Sequence, residues 1–492
     1  MSTDSDAKQW KTLDKDLNRI SRVEYATQYV ARPMVGVGVA FAFVVLATLS
    51  AAIVFGGHQG SIFVLAAAAF GAYMALNIGA NDVANNMGPA VGARALTMGG
   101  AIVIAAICES AGALLAGGDV VSTISKGIID PAGVADGRTF TWAMMAALIS
   151  AALWVNLATW VGAPVSTTHS VVGGVMGAGV AAAGVAAVNW PNMGAIAASW
   201  VISPVLGGVI AAAFLAFIKA NIIYQDDKIA AARRWVPVLV GIMAGAFAAY
   251  LAIKGFKRVF SIDLLTALLI GAGVGAVSYV LTAPLIRRQS EGMENRNKSL
   301  KTLFGLPLVI SAALLSFAHG ANDVANAVGP LAAIVHATEF GAFAGKVSIP
   351  LWVMVIGAFG ISFGLILFGP KLIRMVGSQI TKLNPMRAYC VALSAAITVI
   401  IASWLGLPVS STHIAVGGVF GVGFFREWDI ERRARKNNSE LQVKQIAPEE
   451  RRRRKLVRRS HFMTIIAAWV ITVPAAAVMS GLIFLALTAA FT

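Results

Sequence analysis

The residues GANDVANNMGP at 79–89 return almost unchanged at 320–330 as GANDVANAVGP. Each copy sits inside a long apolar run, 61–90 in the first case and 303–334 in the second. An ionisable group at bilayer depth costs roughly 2.5–3.5 kcal/mol on insertion scales. One buried aspartate can be an accident of packing, but the same aspartate flanked twice by the same amides asks for a function. On a helix, Asn81 and Asn85 are i,i+4 and Asp82 and Asn85 are i,i+3, so three oxygen-bearing side chains share a face. Asn322, Asp323 and Asn326 repeat the pattern. A carboxylate with amide oxygens and no Lys or Arg nearby in sequence is a hard-oxygen set, suited to an alkali cation or a proton. The competing reading is polar glue between helices. Gly79 and the pairs Gly88-Pro89 and Gly329-Pro330 are expected to break the helices and free backbone carbonyls as further ligands. Such breaks are tolerated at membrane depth only where they are buried or line a cavity.

The rest of the chain fits that setting. Hydrophobic residues make up 58% of it and charged residues 13%, about half the charged fraction of a soluble domain. The mean hydropathy is +0.76. Apolar runs fall at 34–56, 61–90, 97–118, 140–162, 164–186, 192–219, 235–253, 263–285, 303–334, 347–369, 388–406, 407–425 and 462–489. Most are near the roughly 20 residues that cross a hydrocarbon core. The fold class read from this is an all-α polytopic membrane protein of about 12–13 transmembrane segments. The strand alternation of an outer-membrane barrel is absent.

The net charge of +16 does not point to nucleic acid, because the basic residues lie in loops. Segments 219–235, 287–301 and 426–461 are rich in Lys and Arg, which places them, with the N-terminus, in the cytoplasm. Segments 126–140 and 336–346 are less basic and are expected outside, while GFKRVF at 255–260 is a basic exception. The RRRRK run at 451–455 could attract anionic headgroups, although a topology-setting cluster is the plainer reading. Cys108 and Cys390 lie in apolar runs and build neither a disulfide framework nor a metal cluster. Residues 1–33 are a polar arm without the short apolar core of a signal peptide. Trp10, Leu13, Leu17 and Ile20 fall at helical spacing there and predict an amphipathic cytoplasmic helix.

A second motif repeats in the same order. APVSTTHSVVGGVMGAGV at 163–180 matches LPVSSTHIAVGGVFGVGF at 407–424, with ATW before one copy and ASW before the other. A Trp-Val-Ile helix follows each, from Trp200 and from Trp469. A duplication of this size is a mark of secondary transporters. The expected organisation is an N-terminal arm (1–33), an extra transmembrane helix (34–60), a first transport repeat (61–219), two linking helices with their loops (220–302), and a second repeat (303–492) with an Arg-rich loop at 426–461. An odd number of crossings per repeat and two linking spans make the repeats inverted. The segments after each PVS are short and Gly-rich, so full crossings and re-entrant hairpins both remain open.

Pro164-Val165 and Pro408-Val409 each start a segment whose first residues are Ser166, Thr167 and Thr168, or Ser410, Ser411 and Thr412. Hydroxyls at a helix start cap free N–H groups, and with the positive dipole end they make an anion site without formal charge. Plain capping is the bland reading, and the two are compatible. Gly173, Gly174, Gly177, Gly417, Gly418 and Gly421 are read as close-packing positions. His169 and His413 are expected to stabilise the bend by hydrogen bonding rather than relay protons. His319 precedes only the second GANDVAN and breaks the symmetry, and Glu109 has no acidic counterpart in the second half. Glu109 is a candidate third cation or proton site. Lys126 is read as an interfacial anchor.

At these residues the sequence resembles the inorganic phosphate transporter family, the PiT-type cation–phosphate symporters. The resemblance covers essentially 61–489, and ESAGALLAGGDVVSTISKGIID at 109–130 is similar to the form found in sodium-coupled members. It implies uptake of phosphate with Na+ or H+ on a two-fold inverted-repeat fold. It also implies cation ligation at Asn81, Asp82, Asn322 and Asp323, with Na+ on the two carboxylates, and phosphate contact at the PVS hydroxyls. The partners expected are inorganic phosphate, Na+ or H+, the lipid bilayer of a bacterial inner membrane, and a second copy of the chain as a homodimer. No cofactor beyond the co-transported cation is expected. A sulfate–cation symporter is the rival on the same architecture. A passive anion channel would leave two acidic sites without purpose. An intramembrane hydrolase using Ser166 and His169 would need an asymmetric catalytic set, whereas both residues are duplicated.

Overall fold

The computed structural model describes residues 34–58, 60–129, 134, 136–161, 165–255, 262–340, 349–379, 383–436 and 459–491. The N-terminal arm, Pro164 and the RRRRK run lie outside them. The helices are α1 (Met34–Phe55), α2 (Ser61–Gly92), α3 (Met98–Ala116), α4 (Gly118–Lys126), α5 (Gly137–Val161), α6 (Thr167–Ala183) and α7 (Trp190–Ile218). They continue with α8 (Lys228–Lys254), α9 (Leu264–Gln289), α10 (Asn297–Leu303), α11 (Gly305–Phe340), α12 (Leu351–Gln379), α13 (Pro385–Trp404), α14 (Ser411–Lys436) and α15 (Arg459–Phe491). Several start on a residue that satisfies an orphan N–H: Thr97 caps α3, Asn189 caps α7, Asp227 caps α8, Asp263 caps α9 and Asn384 caps α13.

All thirteen apolar runs hold helices, and eleven helices among the described residues are long and apolar enough to cross a bilayer. The helices after the two PVS motifs, α6 and α14, are not among them. Contacts at the helix ends explain why. The N–H of Asn189 donates to the carbonyl of Ile128 at 2.9 Å, Val188 forms a β-bridge with Ile129, and Asn192 Nδ2 donates to the carbonyl of Gly127 at 2.6 Å. The exit of α6 therefore lies beside the segment that leads into α5. The pair is a re-entrant hairpin that enters and leaves at one end of the protein. At the other end, Lys219 Nζ meets Asp429 Oδ2 at 2.8 Å, and the N–H of Lys228 donates to Asn295 Oδ1 at 2.9 Å. The start of α13 shares a pocket there with Lys301 of α10. So α13 and α14 form a second hairpin, inserted from the opposite side. With the hairpins folded back, each repeat keeps three crossings, still an odd number, and the inversion stands.

The hairpin tips meet inside the protein, where Thr168 Oγ1 donates to the carbonyl of Val409 at 3.0 Å. The repeats are also exchanged in their packing. Helix α2 lies along α12 and α11 lies along α3, while α6 packs on α15 and α14 on α7. Ser110 and Ser362, equivalent positions of α3 and α12, meet at 2.6 Å between their Oγ atoms. The glycine that opens each GANDVAN is explained by this packing. A Cβ at Gly79 would lie 1.9 Å from the carbonyl oxygen of Ile361, and one at Gly320 would lie 2.0 Å from that of Glu109.

The expected helix breaks at GANDVAN do not occur, since α2 and α11 run through both motifs without interruption. The breaks fall at the hairpin tips instead. Proline still has an effect inside the helix, because it lacks an N–H to offer the carbonyl four residues earlier. Pro89 and Pro330 occupy that position relative to Asn85 and Asn326.

Candidate functional site

Asp82 and Asp323 are each only 1% exposed, midway along their helices, and each faces a hairpin tip. Thr167 Oγ1 donates to Asp82 Oδ2 at 2.9 Å, and its counterpart Ser411 Oγ donates to Asp323 Oδ2 at 3.2 Å. The tips also cross over. Thr412 Oγ1 donates to Asp82 Oδ1 at 3.2 Å and accepts from Asn85 Nδ2 at 2.8 Å. Asn326 Nδ2 reaches Thr167 Oγ1 at 3.2 Å and Thr168 Oγ1 at 3.1 Å. Among the described residues, neither carboxylate has an ion pair with Lys or Arg.

The two outer amides are held in a fixed sense. Asn81 Nδ2 donates to Thr159 Oγ1 at 2.9 Å, and Thr159 Oγ1 spends its own proton on the carbonyl of Val155 at 2.8 Å. Thr159 can therefore only accept, which turns Asn81 Oδ1 the other way. In the second repeat Asn322 Nδ2 donates to Ser403 Oγ at 3.1 Å and to the carbonyl of Leu407, which can only accept, at 3.3 Å. The result is a set of buried oxygens without a hydrogen-bond partner: Asn81 Oδ1, Asn322 Oδ1, Asp323 Oδ1 and Asn326 Oδ1. Buried polar atoms are normally satisfied, and oxygens clustered near two carboxylates fit a hard cation.

The expected anion-binding hydroxyls lie on the hairpins. Ser166 and Ser410 cap α6 and α14 by accepting from the N–H groups of His169, at 3.1 Å, and His413, at 3.3 Å. That leaves the N–H groups of Thr167 and Thr168, and of Ser411 and Thr412, without intrahelical acceptors. The two helices point to opposite ends of the protein and their N-termini abut. Two dipole ends of about half a positive charge each thus converge on one place. Ser166, Thr167, Thr168, Ser410, Ser411 and Thr412 all lie there, none more than 4% exposed.

The two residues that break the repeat belong together. His319 Nε2 lies 2.8 Å from Asp323 Oδ2 and 3.8 Å from Asp82 Oδ2, and His319 Nδ1 lies 3.4 Å from Glu109 Oε2. Asn86 Nδ2 donates to Glu109 Oε1 at 2.9 Å. The same register in the other half holds Ile78 in place of His319 and Ile361 in place of Glu109. One copy of the duplicated site is thus polar where the other is apolar. His169 and His413 sit away from the carboxylates, their rings edge-to-face at 4.5 Å, with Trp200 4.0 Å from His169. Trp200 Nε1 in turn donates to the carbonyl of Pro408 at 3.0 Å.

Two buried aspartates, unpartnered amide oxygens and facing helix N-termini are the features that a site for cations and an oxyanion together would need. A model of the phosphate transporter family matches residues 78–480. The chain belongs to the phosphate transporter family. It is 44% identical to a Helicobacter pylori protein described as "Putative phosphate permease", over 96% of this chain and 98% of that one. A Pyrococcus abyssi protein of the same description is 36% identical over 84% of this chain and 95% of its own. A solved structure described as "The sodium-dependent phosphate transporter" superposes with a TM-score of 0.78 at 33% identity, covering 87% of this chain and 99% of the other. This transporter is an integral membrane protein of a class that moves phosphate rather than transforming it.

Three residues of the transporter's site escaped the sequence reading. Thr159 and Ser403 orient the outer amides, and Asn86 holds Glu109. All had a signal: Thr159 and Ser403 are the middle residues of the repeated ATW and ASW, and Asn86 is four residues after Asp82 on the same helical face.

Proposed function

We propose that the transporter is a symporter that imports phosphate with Na+ by alternating access. The observation that carries this reading is that Asp82 and Asp323 accept hydrogen bonds from Thr167 and Ser411, the hydroxyls of the hairpin tips. Cation and anion sites therefore share side chains. A cation on the carboxylates releases those hydroxyls and adds positive charge beside the phosphate, so each ligand raises the affinity of the other. Asn81, Asn85, Asn322 and Asn326 supply neutral oxygen to the cations. The first-turn N–H groups and hydroxyls of α6 and α14 hold the phosphate.

Phosphate is favoured over sulfate by the acceptors at the site. A protonated phosphate can donate to Asp323 Oδ1 or Asn326 Oδ1, which have no partner of their own. Sulfate has no proton to give. The Lys- and Arg-rich end that carries Lys219, Arg233, Arg287 and Arg426 is assigned to the cytosol. Hairpin α5–α6 then enters from outside and α13–α14 from inside. Rocking of one repeat against the other exposes the central site alternately. A net positive charge moved inward gains about 2.3 kcal/mol per 100 mV.

The His319–Glu109 contact supports proton coupling as the second reading. Labelled phosphate uptake into proteoliposomes separates the two. Accumulation driven by a sodium gradient at equal pH is expected. Accumulation driven only by a pH gradient would replace Na+ with H+, and accumulation of sulfate but not phosphate would replace the substrate.

A further inference from the structure

A cavity of about 760 Å³ opens at the basic end, well away from the paired aspartates. It lies between the end of α2, α10, the end of α12 and the start of α13. Gly92, on its edge, is ten residues beyond Asp82, about 15 Å along the helix. Arg94, Lys301, Arg374 and Arg387 line it, and no aspartate or glutamate does among the described residues. Arg374 has an interaction of its own, and the like charges of Arg94, Lys301 and Arg387 around one hollow repel one another, a repulsion that a bound anion relieves.

A further observation points to a ligand. Arg387 is held by Asn384, whose Oδ1 accepts from both its backbone N–H, at 3.0 Å, and its Nε, at 3.1 Å. Its Nη1 is nonetheless buried with no hydrogen-bond partner. Arg94, at φ 60°, is the left-handed stop of α2: the N–H of Ala95 donates to the carbonyl of Ala90 at 2.9 Å and that of Arg94 to the carbonyl of Val91 at 3.0 Å, which ends the helix on the rim of the cavity.

We propose that this pocket is a second anion site, separate from the central one, that binds a phosphoryl group at the basic end of the protein. Planar guanidinium forks match phosphate oxygens in pairs, and three of the four cations are arginine. The hollow is within the roughly 300–1,000 Å³ of sites for drug-sized ligands and is too large for a lone phosphate ion. The ligand is a phosphorylated molecule with two or more negative charges, either a soluble polyphosphate or the headgroups of anionic phospholipid. Occupancy would tie the end of α2, which carries Asp82, to the start of hairpin α13–α14. This binding does not depend on what the central site carries.

The test uses the full-length chain with Asp82→Asn and Asp323→Asn, in sodium-free buffer, so that the central site is silent. Thermal unfolding is followed in phosphatidylcholine nanodiscs with and without tripolyphosphate, and in nanodiscs containing phosphatidylglycerol without it. Stabilisation by tripolyphosphate identifies a soluble ligand, and stabilisation by phosphatidylglycerol alone identifies a lipid headgroup. In either case Arg387→Gln with Arg94→Asn, which tolerates the left-handed backbone, lowers affinity at least tenfold. Arg387→Lys alone retains most of it. Absence of stabilisation in both arms overturns the proposal, and so does stabilisation that the double variant leaves intact. Sodium-driven uptake by the unaltered chain reports on the central site independently.

Discussion

Asp82→Asn removes one charge and almost no volume, so its effect can be worked from the site. Asp82 accepts from Thr167 at 2.9 Å and from Thr412 at 3.2 Å, with Asn85 Nδ2 at 3.4 Å. An amide keeps one oxygen for these donors and turns its NH2 towards another. A hydrogen bond to a charged group is worth about 1.5–3 kcal/mol, so one such bond is lost. Two unit charges 4 Å apart at an effective dielectric of 20 attract by about 4 kcal/mol, and a ligated cation lies nearer than that. The substitution should weaken sodium binding by about a thousandfold or more, at about 1.4 kcal/mol per factor of ten. Linkage carries part of that loss into phosphate affinity. Sodium titrations of phosphate uptake in proteoliposomes read both. A folded Asp82→Asn protein that keeps uptake, or whose sodium dependence moves by less than tenfold, would refute the assignment of Asp82 as a cation ligand.

Thr159→Val takes away the acceptor that orients Asn81. The amide is then free to turn, and sodium affinity should fall about three- to tenfold, the worth of one neutral hydrogen bond of about 0.5–1.5 kcal/mol; Ser403→Ala should cost less in the same sodium titration, because Asn322 keeps the carbonyl of Leu407 as an acceptor. Gly320→Ala would place a Cβ 2.0 Å from the carbonyl oxygen of Glu109, forcing α11 off α3. A stability loss at or above the 1–3 kcal/mol typical of overpacking should appear as a lower unfolding temperature together with lost uptake. At the basic end, burial pushes the Asp429 carboxyl up, but hydrogen bonds from Lys219 and Tyr224 outweigh it and hold the group below its ordinary range. The Asp429 contribution is therefore complete above the usual aspartate value of about 3.9 and is lost as pH falls through the depressed value. Asp429→Asn should lower the unfolding temperature at pH 7, by a difference that shrinks in acid; a difference that grows below pH 4 would contradict the sign.

The apolar runs and the two motifs were legible because a bilayer leaves few alternatives to helix, and because duplication marks Asp82 and Asp323 against an otherwise apolar background. The hairpins were left open for a physical reason. The run that becomes α6 has the composition of a crossing segment, and only the distant contact between Asn189 and Ile128 shows it returning to the side it came from. The helix breaks at Gly88-Pro89 and Gly329-Pro330 were misplaced, because Pro within a packed membrane helix can cost one hydrogen bond without ending the helix. Helix α4 falls between the apolar run at 97–118 and the segment at 126–140 and was not assigned. Val120, Val121 and Ile124 bury its apolar face, and Thr123 Oγ1 donates to the carbonyl of Gly406 at 2.7 Å, holding α4 on the second hairpin. His319 was seen to break the repeat, but nothing in local sequence could show that it meets Glu109, since the contact exists only because α11 packs along α3.

The exchanged packing has a consequence for how the protein is made. The first hairpin rests on α15, nearly 300 residues further along the chain, and α2 rests on α12, about as far on from it. A nascent chain emerging N-terminus first therefore holds Asp82, Thr167 and their helices in the membrane long before the surfaces that seat them exist. The seat of the first hairpin is complete only after α15 is inserted. A chain that stops short of α15 leaves Gly173 and Gly177 of α6, and the hydroxyl of Ser150, without the backbone of Val473, Ala476 and Ala477 that they pack against.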